Sequence, residues 1–239
     1  MPHYRDEAIV LRTHKLGEVD RIVTLLTRNH GQIRAVAKGV RKTTSRFGAR
    51  LEPFMVADLQ LYEGRTLDTV SQAEQLASYG SEIVSDYSRY TIACAMAEAA
   101  ERLTRETSSE QHYLLLLGGL RTLAAMDKPS NQVLDSYLLR ALSLSGWIPD
   151  LELCHSCSVA AESFSIHTGL VSCLGCELPG SVRLGTEGLR LMRALLAGGW
   201  DQVSEFSAQT KSAVSGVVSG YLQWQLEKGL RSLNHVERN

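Results

Sequence analysis

The feature that most constrains this chain is a group of four cysteines in one short segment. Cys154 and Cys157 form one CxxC pair, Cys173 and Cys176 form a second, and fifteen residues separate the pairs. Two residues between cysteines let both thiolates bind one ion, and an intervening hairpin can bring the second pair in to complete a tetrahedron. The spacing predicts one structural Zn²⁺ held by these four cysteines, in a segment at about 151–180. Redox-active thiol pairs and an iron–sulfur cluster are the alternatives.

The predicted coordination of the ion by four cysteines also bears on catalysis. Four thiolates leave no open position for water, so a zinc hydrolase is disfavoured. His155 and His167 lie in the same segment and could each replace a cysteine, but we interpret them as surface histidines. Glu98 and Glu101, on a predicted helix, are interpreted as a solvated face. The chain contains no GxxxxGK[ST], no GxGxxG after a strand and no HExxH, and we predict that it is not an enzyme.

The first 80 residues have the pattern of a small β domain. Five segments rich in Val, Ile, Leu and Thr are separated by turns that contain glycine. The candidate strands span residues 8–13, 19–27, 32–38, 53–62 and 67–75. Because no helical repeat separates them, these strands predict a five-stranded OB-type β-barrel.

Beyond residue 80 the apolar residues recur with a helical period, as in Ile92, Met96, Ala100 and Leu103. The whole chain is therefore predicted to be an α+β protein. Its domains would be an OB barrel at 1–80 and a mainly α-helical domain at 81–239, with the zinc segment inserted in the latter. No run of 18 apolar residues and no apolar signal core occur, so we expect a cytoplasmic protein without a membrane partner.

Positive charge is concentrated at the N-terminus. Residues 1–50 carry eleven Lys or Arg against four acids, a net charge of +7, whereas residues 81–153 have a net charge of −4. A basic cluster neutralises phosphates and gives sequence-tolerant nucleic-acid binding, and an OB barrel favours that role over a merely solvated face. The predicted DNA-binding residues are Arg34, Lys38, Arg41, Lys42, Arg46 and Arg50. Phe47 and Tyr62 are candidates for stacking on bases, although Phe47 is equally a core candidate.

Several segments, taken together and in order, resemble the RecO family of bacterial recombination mediators. The N-terminal ones are EAIVL at 7–11, GEVDRIVTLLT at 17–27, GQIRAVAKGVRK at 31–42 and SRFG at 45–48. Two more follow in the second half, GWIPDL at 146–151 and LRSL at 230–233. The resemblance covers essentially the whole chain.

The resemblance implies an N-terminal OB domain, and a helical C-terminal domain that often holds a four-cysteine zinc site. It further implies binding of single- and double-stranded DNA, annealing of complementary strands, and association with the nucleoid during repair. The implied partners are RecR, the C-terminal tail of single-strand-binding protein and, indirectly, RecA, which is loaded on coated DNA. An OB and zinc-ribbon module that binds RNA or serves transcription is the alternative function.

Overall fold

A closed five-stranded β-barrel forms the first part of the chain. The computed structural model describes residues 2–105, 110–227 and 229–237. The strands are β1 (His3–Leu16), β2 (Asp20–Thr27), β3 (Gln32–Ala37), β4 (Met55–Tyr62) and β5 (Asp68–Ser78). Their order around the barrel is β1-β2-β3-β5-β4, with β3 and β5 parallel and the other pairs antiparallel. The predicted OB-type barrel is confirmed.

Strand β1 is much longer than predicted because it serves two partners. Its first half, from His3 to Ile9, pairs with β4, and its second half, from Ala8 to Leu16, pairs with β2. A bulge between Val10 and Arg12 shifts the register with β2 along the second half. One bent strand thereby closes the barrel.

Alternating apolar side chains fill the barrel interior. Val10, Val23, Leu25 and Leu59 are fully buried there, as the alternation of the strands requires. The loop between β3 and β4 also contributes, because Phe47 is only 1% exposed and belongs to this core. Phe47 therefore does not stack on bases, and that part of the prediction is wrong.

Three helices pack in the same compact unit as the barrel, which spans Met1–Ala125. They are α1 (Tyr79–Val84), α2 (Tyr87–Leu103) and α3 (Glu110–Ala125). The predicted boundary at residue 80 follows the change from strands to helices. As a division between functional domains it stays a prediction.

The second unit, Met126–Asn239, is a helical domain with a small inserted sheet. Its helices are α4 (Ser130–Leu144), α5 (Gly185–Ala197), α6 (Trp200–Val203) and α7 (Ala208–Gln225). Leu134, Leu138 and Leu142 form a buried stripe of α4, which packs on α5 and α7. The inserted sheet consists of β6 (Ser163–Ser165), β7 (Val171–Ser172) and β8 (Ser181–Arg183) in the order β7-β6-β8. The α+β class with a hairpin inserted among helices is confirmed.

None of the helices in the described ranges has the length and apolar character that a membrane crossing requires.

Candidate metal centre and nucleic-acid interface

The four predicted metal ligands meet at one point of the second unit. The sulfurs of Cys154, Cys157, Cys173 and Cys176 all lie within 4.8 Å of one another. The β6–β7 hairpin produces this arrangement, because it folds the chain back between the two pairs. The amide of His155, next to Cys154, donates to the carbonyl oxygen of Val171 at 3.0 Å, which ties the first pair to the strand that leads into the second.

The distances between these sulfurs fit a tetrahedral zinc site. Cys157 Sγ lies 3.6 Å from Cys173 Sγ and 3.8 Å from Cys176 Sγ. Four sulfurs around an ion with Zn–S bonds of about 2.3 Å stand about 3.8 Å apart. None of the five cysteines is in a disulfide. The four cysteines are therefore close enough to bind a metal ion and are suited to Zn²⁺.

The backbone around the first pair favours a thiolate. The amides of Cys173, Ser156 and Cys157 donate to the Cys154 sulfur and lower the pKa of that thiol to about 5. By contrast, hydrogen bonding with the Cys157 sulfur raises the pKa of Cys176 to about 12. The chain's own donors thus stabilise one thiolate, whereas four adjacent thiolates require the charge of a bound cation.

Neither histidine of the segment belongs to the cluster. His155 Nδ1 contacts the Val171 carbonyl oxygen at 3.2 Å. The His167 ring stacks on Trp224, with the ring centroids 4.0 Å apart. Among the described residues, the four cysteines are the one group of His, Cys, Asp or Glu side chains close enough together to hold a metal ion.

The candidate DNA-binding residues lie on β3 and on the long connection that follows it. We call residues 38–54, between β3 and β4, the basic loop. Arg34 is on β3, and the other five candidates, Lys38, Arg41, Lys42, Arg46 and Arg50, are in the basic loop. Five of the six side chains are exposed and Arg50 is half-buried. The prediction that Lys38 continues β3 is wrong, since the strand ends at Ala37.

Backbone contacts attach the basic loop to the β1–β2 turn. The Gly39 amide donates a hydrogen bond to Asp20 Oδ1 at 2.6 Å. Gly39 has a φ of +66°, a conformation that is unfavourable for residues with a side chain. The Arg41 amide donates to the Val19 carbonyl oxygen at 3.0 Å, and its guanidinium donates to that of Glu18 at 2.7 Å. Arg41 thus also has a structural role, which leaves fewer of its donors for phosphate.

Pairing with acids distinguishes the candidates from four other arginines of the barrel. The paired ones are Arg5 with Asp58 at 2.7 Å, Arg12 with Glu101 at 2.6 Å, Arg21 with Glu52 at 2.5 Å and Arg28 with Glu110 at 2.8 Å. Across the described ranges, none of the six candidates forms an ion pair. The interpretation of Glu101 as solvated is wrong, because its side chain is 10% exposed and neutralises Arg12.

Comparison with known proteins gives two family matches that together span most of the chain. The model described as recombination protein O N terminal matches residues 1–79, and the one described as recombination protein O C terminal matches residues 84–234. The chain belongs to the RecO family.

Full-length relatives agree with this assignment. A protein named DNA repair protein RecO from Nocardioides sp. strain JS614 is 52% identical over 242 residues, covering 98% of this chain and 99% of the relative. Proteins of the same name from Thermobifida fusca and Streptomyces griseus are 50% and 48% identical, each over 100% of both chains. The predicted family resemblance is confirmed.

The two RecO matches divide the candidate sites between them. The N-terminal match contains all six candidate basic residues, and the C-terminal match contains the four cysteines. The six predicted residues are not the only exposed basic residues of the RecO barrel, and Lys15 is another. Lys15 is exposed, lies two residues before Gly17 of the β1–β2 turn, and has no ion pair in the described part of the chain. Lys15 was not among the predicted DNA-binding residues because it lies outside residues 28–50, a stretch that is rich in Lys and Arg and contains no acid. The turn beside Lys15 nevertheless contacts the basic loop.

Proposed function

We propose that this protein is a non-enzymatic DNA-binding mediator of recombinational repair. The observation that carries the proposal is the group of six basic residues on β3 and the basic loop, which no acid of the described residues neutralises. A surface of unpaired, exposed positive charge binds phosphates by releasing their counterions, for single and double strands alike. We propose residues 1–80 as the DNA-binding domain and Arg34, Lys38, Arg41, Lys42, Arg46 and Arg50 as its contacts.

Strand annealing follows from the same chemistry. Two complementary strands repel each other through their phosphates, and a basic surface screens that repulsion. Contacts to phosphate leave the base edges free to pair. No bond is made or broken, so the proposed activity needs no catalytic residues.

The zinc site is proposed to stabilise the helical domain. Cys154, Cys157, Cys173 and Cys176 would fill the coordination shell of one Zn²⁺ and order the inserted segment. A filled shell leaves no position for a substrate or for water, which supports a structural role for the ion and a non-enzymatic function for the protein.

The partners are proposed from the family. With RecR, the protein would help to load RecA on DNA coated by single-strand-binding protein, whose C-terminal tail would contact it. The relatives are named DNA repair proteins, which supports a role in repair. The protein would act in the cytoplasm and would be at the nucleoid during repair.

Charge reversal of the basic loop tests the proposal. Lys38→Glu with Lys42→Glu should weaken binding of single- and double-stranded DNA about tenfold or more near 50 mM salt. The same variant should anneal complementary strands more slowly. Neither lysine side chain has a hydrogen bond or ion pair within the described residues, so folding should be unaffected. Fluorescence anisotropy with labelled strands measures the affinity, and a quenched-strand assay measures annealing.

Arg121→Glu with Arg140→Glu is the matched control, because it makes the same change in net charge at exposed helical positions. The control should bind and anneal as the wild type does. Equal affinity of the wild type and the Lys38/Lys42 variant would contradict the proposal. Stronger binding of RNA than of DNA, without annealing, would favour the alternative of an RNA-binding module.

A further inference from the structure

Exposed aromatic side chains lie where the first two helices meet. Tyr87 is 63% exposed and Tyr90 is 40% exposed, and Val84, at the end of α1, is 57% exposed. Tyr87 and Tyr90 are three residues apart on α2, so their rings lie on one side of the helix. We call these three residues the α1–α2 corner. Both rings therefore present apolar surface to solvent.

The corner adjoins the end of the basic loop. Phe54, the last residue of the loop, contacts Tyr90 edge to face, with ring centroids 6.0 Å apart and an interplanar angle of 75°. Helix α1 packs on the same stretch, since a Cβ placed on Gly80 would lie 3.1 Å from the Pro53 carbonyl oxygen. The α1–α2 corner therefore contacts the C-terminal end of the basic loop, within the N-terminal unit.

The ring of Tyr90 is held in place by its neighbours. Cys94 lies one helical turn further along α2, and its sulfur raises the pKa of the Tyr90 hydroxyl. Phe54, which supports the ring edge, is 2% exposed and adopts a φ of +68°, a conformation that is rare for a bulky residue. Its amide donates to the Val10 carbonyl oxygen at 2.9 Å, which fixes it to the barrel. A ring fixed in this way loses little conformational freedom when a flat partner binds its exposed side.

We propose that the α1–α2 corner stacks the unpaired bases of a strand whose phosphates bind the basic loop, with Tyr87 as the main platform and Tyr90 beside it. This inference rests on the proposed function. Aromatic rings beside a basic groove bind single strands without sequence preference, because every base has a flat face. Bases inside a duplex already stack on each other and cannot reach the corner. The corner therefore adds affinity for single strands only, and pairing of the strand during annealing removes that contact and favours release of the duplex.

The experiment uses the full chain and oligonucleotides of one length. Tyr87→Ala should weaken binding of single-stranded DNA about fivefold and leave double-stranded DNA unaffected. Tyr87→Phe keeps the ring and should bind as the wild type does. Leu114→Ala removes a side chain of α3 that is 46% exposed and serves as the control. A strand carrying 2-aminopurine reports stacking directly, because the base should fluoresce more when bound to Tyr87→Ala than when bound to the wild type.

Each result separates this inference from the proposed function. Equal single-strand affinity and equal 2-aminopurine fluorescence for Tyr87→Ala and the wild type would overturn it, and so would an equal loss for single and double strands. Loss of a protein partner with intact strand binding would assign the corner to protein docking and also overturn it. If the Lys38/Lys42 variant loses affinity for both forms of DNA while Tyr87→Ala keeps its affinity for both, only the stacking inference fails. If the Lys38/Lys42 variant loses nothing, the proposed function fails.

Discussion

Single residues in this chain acquire their roles from the groups that contact them. Arg46 and Phe47 are adjacent in a polar loop, yet Arg46 is exposed and Phe47 lies in the barrel core. A loop has no side-chain period, so nothing in the local sequence distinguishes the two environments. The cysteines are the opposite case, because the CxxC spacing itself dictates which atoms can meet around an ion. The clustering of the four cysteines was therefore predictable from sequence, whereas the burial of Phe47 was not.

Replacing one ligand should destabilise the second unit. Cys154→Ser removes a sulfur that is buried and that three amides favour as a thiolate. The variant should bind zinc weakly and lower the unfolding midpoint of this unit by at least ~10 °C, since binding of a structural metal contributes directly to folding. Zinc content and thermal unfolding with and without a chelator measure the effect. Cys94→Ser, outside the cluster, should keep its zinc, and a normal midpoint for Cys154→Ser would contradict the structural role.

At the scale of elements, one buried carboxylate holds the β2–β3 turn against β1. Asp6 Oδ2 accepts hydrogen bonds from the amides of Asn29 and His30 at 3.0 and 3.1 Å and lies 2.6 Å from His30 Nδ1. Burial by itself would raise the pKa of Asp6, but the hydrogen bonds from His30 and Asn29 outweigh it, and the pKa is lowered. Asp6 shares its face of β1 with Ala8 and Val10. It lay outside the predicted strand at 8–13, so the sequence predicted neither its burial nor its partners.

The lowered pKa of Asp6 predicts acid sensitivity of the first unit. A carboxyl group whose pKa is lower in the folded state stabilises the protein fully above its unfolded pKa, near 3.9. That stabilisation is lost as the pH falls through the folded value. The wild type should therefore unfold at a lower temperature below about pH 4 than at neutral pH. Asp6→Asn should be less stable than the wild type at neutral pH, and acidification should lower its unfolding temperature by less. Glu63→Gln, at an exposed position, is the control; an unchanged acid profile in Asp6→Asn would refute the assignment.

For the whole molecule, local patterns predicted the elements, and long-range pairs determined how they pack. The five strands and the order of the domains follow from turns and from side-chain periods. Two ion pairs, Arg12 with Glu101 and Arg28 with Glu110, join α2 and α3 to the barrel. Since these partners are far apart in the chain, no local pattern reveals them. These pairs neutralise barrel arginines that would otherwise be further candidates for DNA contacts.

The central claim is that the basic loop supplies the phosphate contacts, and the salt dependence of DNA binding tests it most directly. Lys38→Gln, Lys42→Gln and Arg46→Gln, combined in the full chain, remove three positive charges that have no acidic partner in the described ranges. Affinity for a single strand is measured from low to moderate salt for this variant and the wild type. We expect the plot of log K against log salt to become less steep by about 2, because each lost contact removes about 0.7 from the slope. An unchanged slope would show that the phosphates are bound elsewhere and would contradict the account.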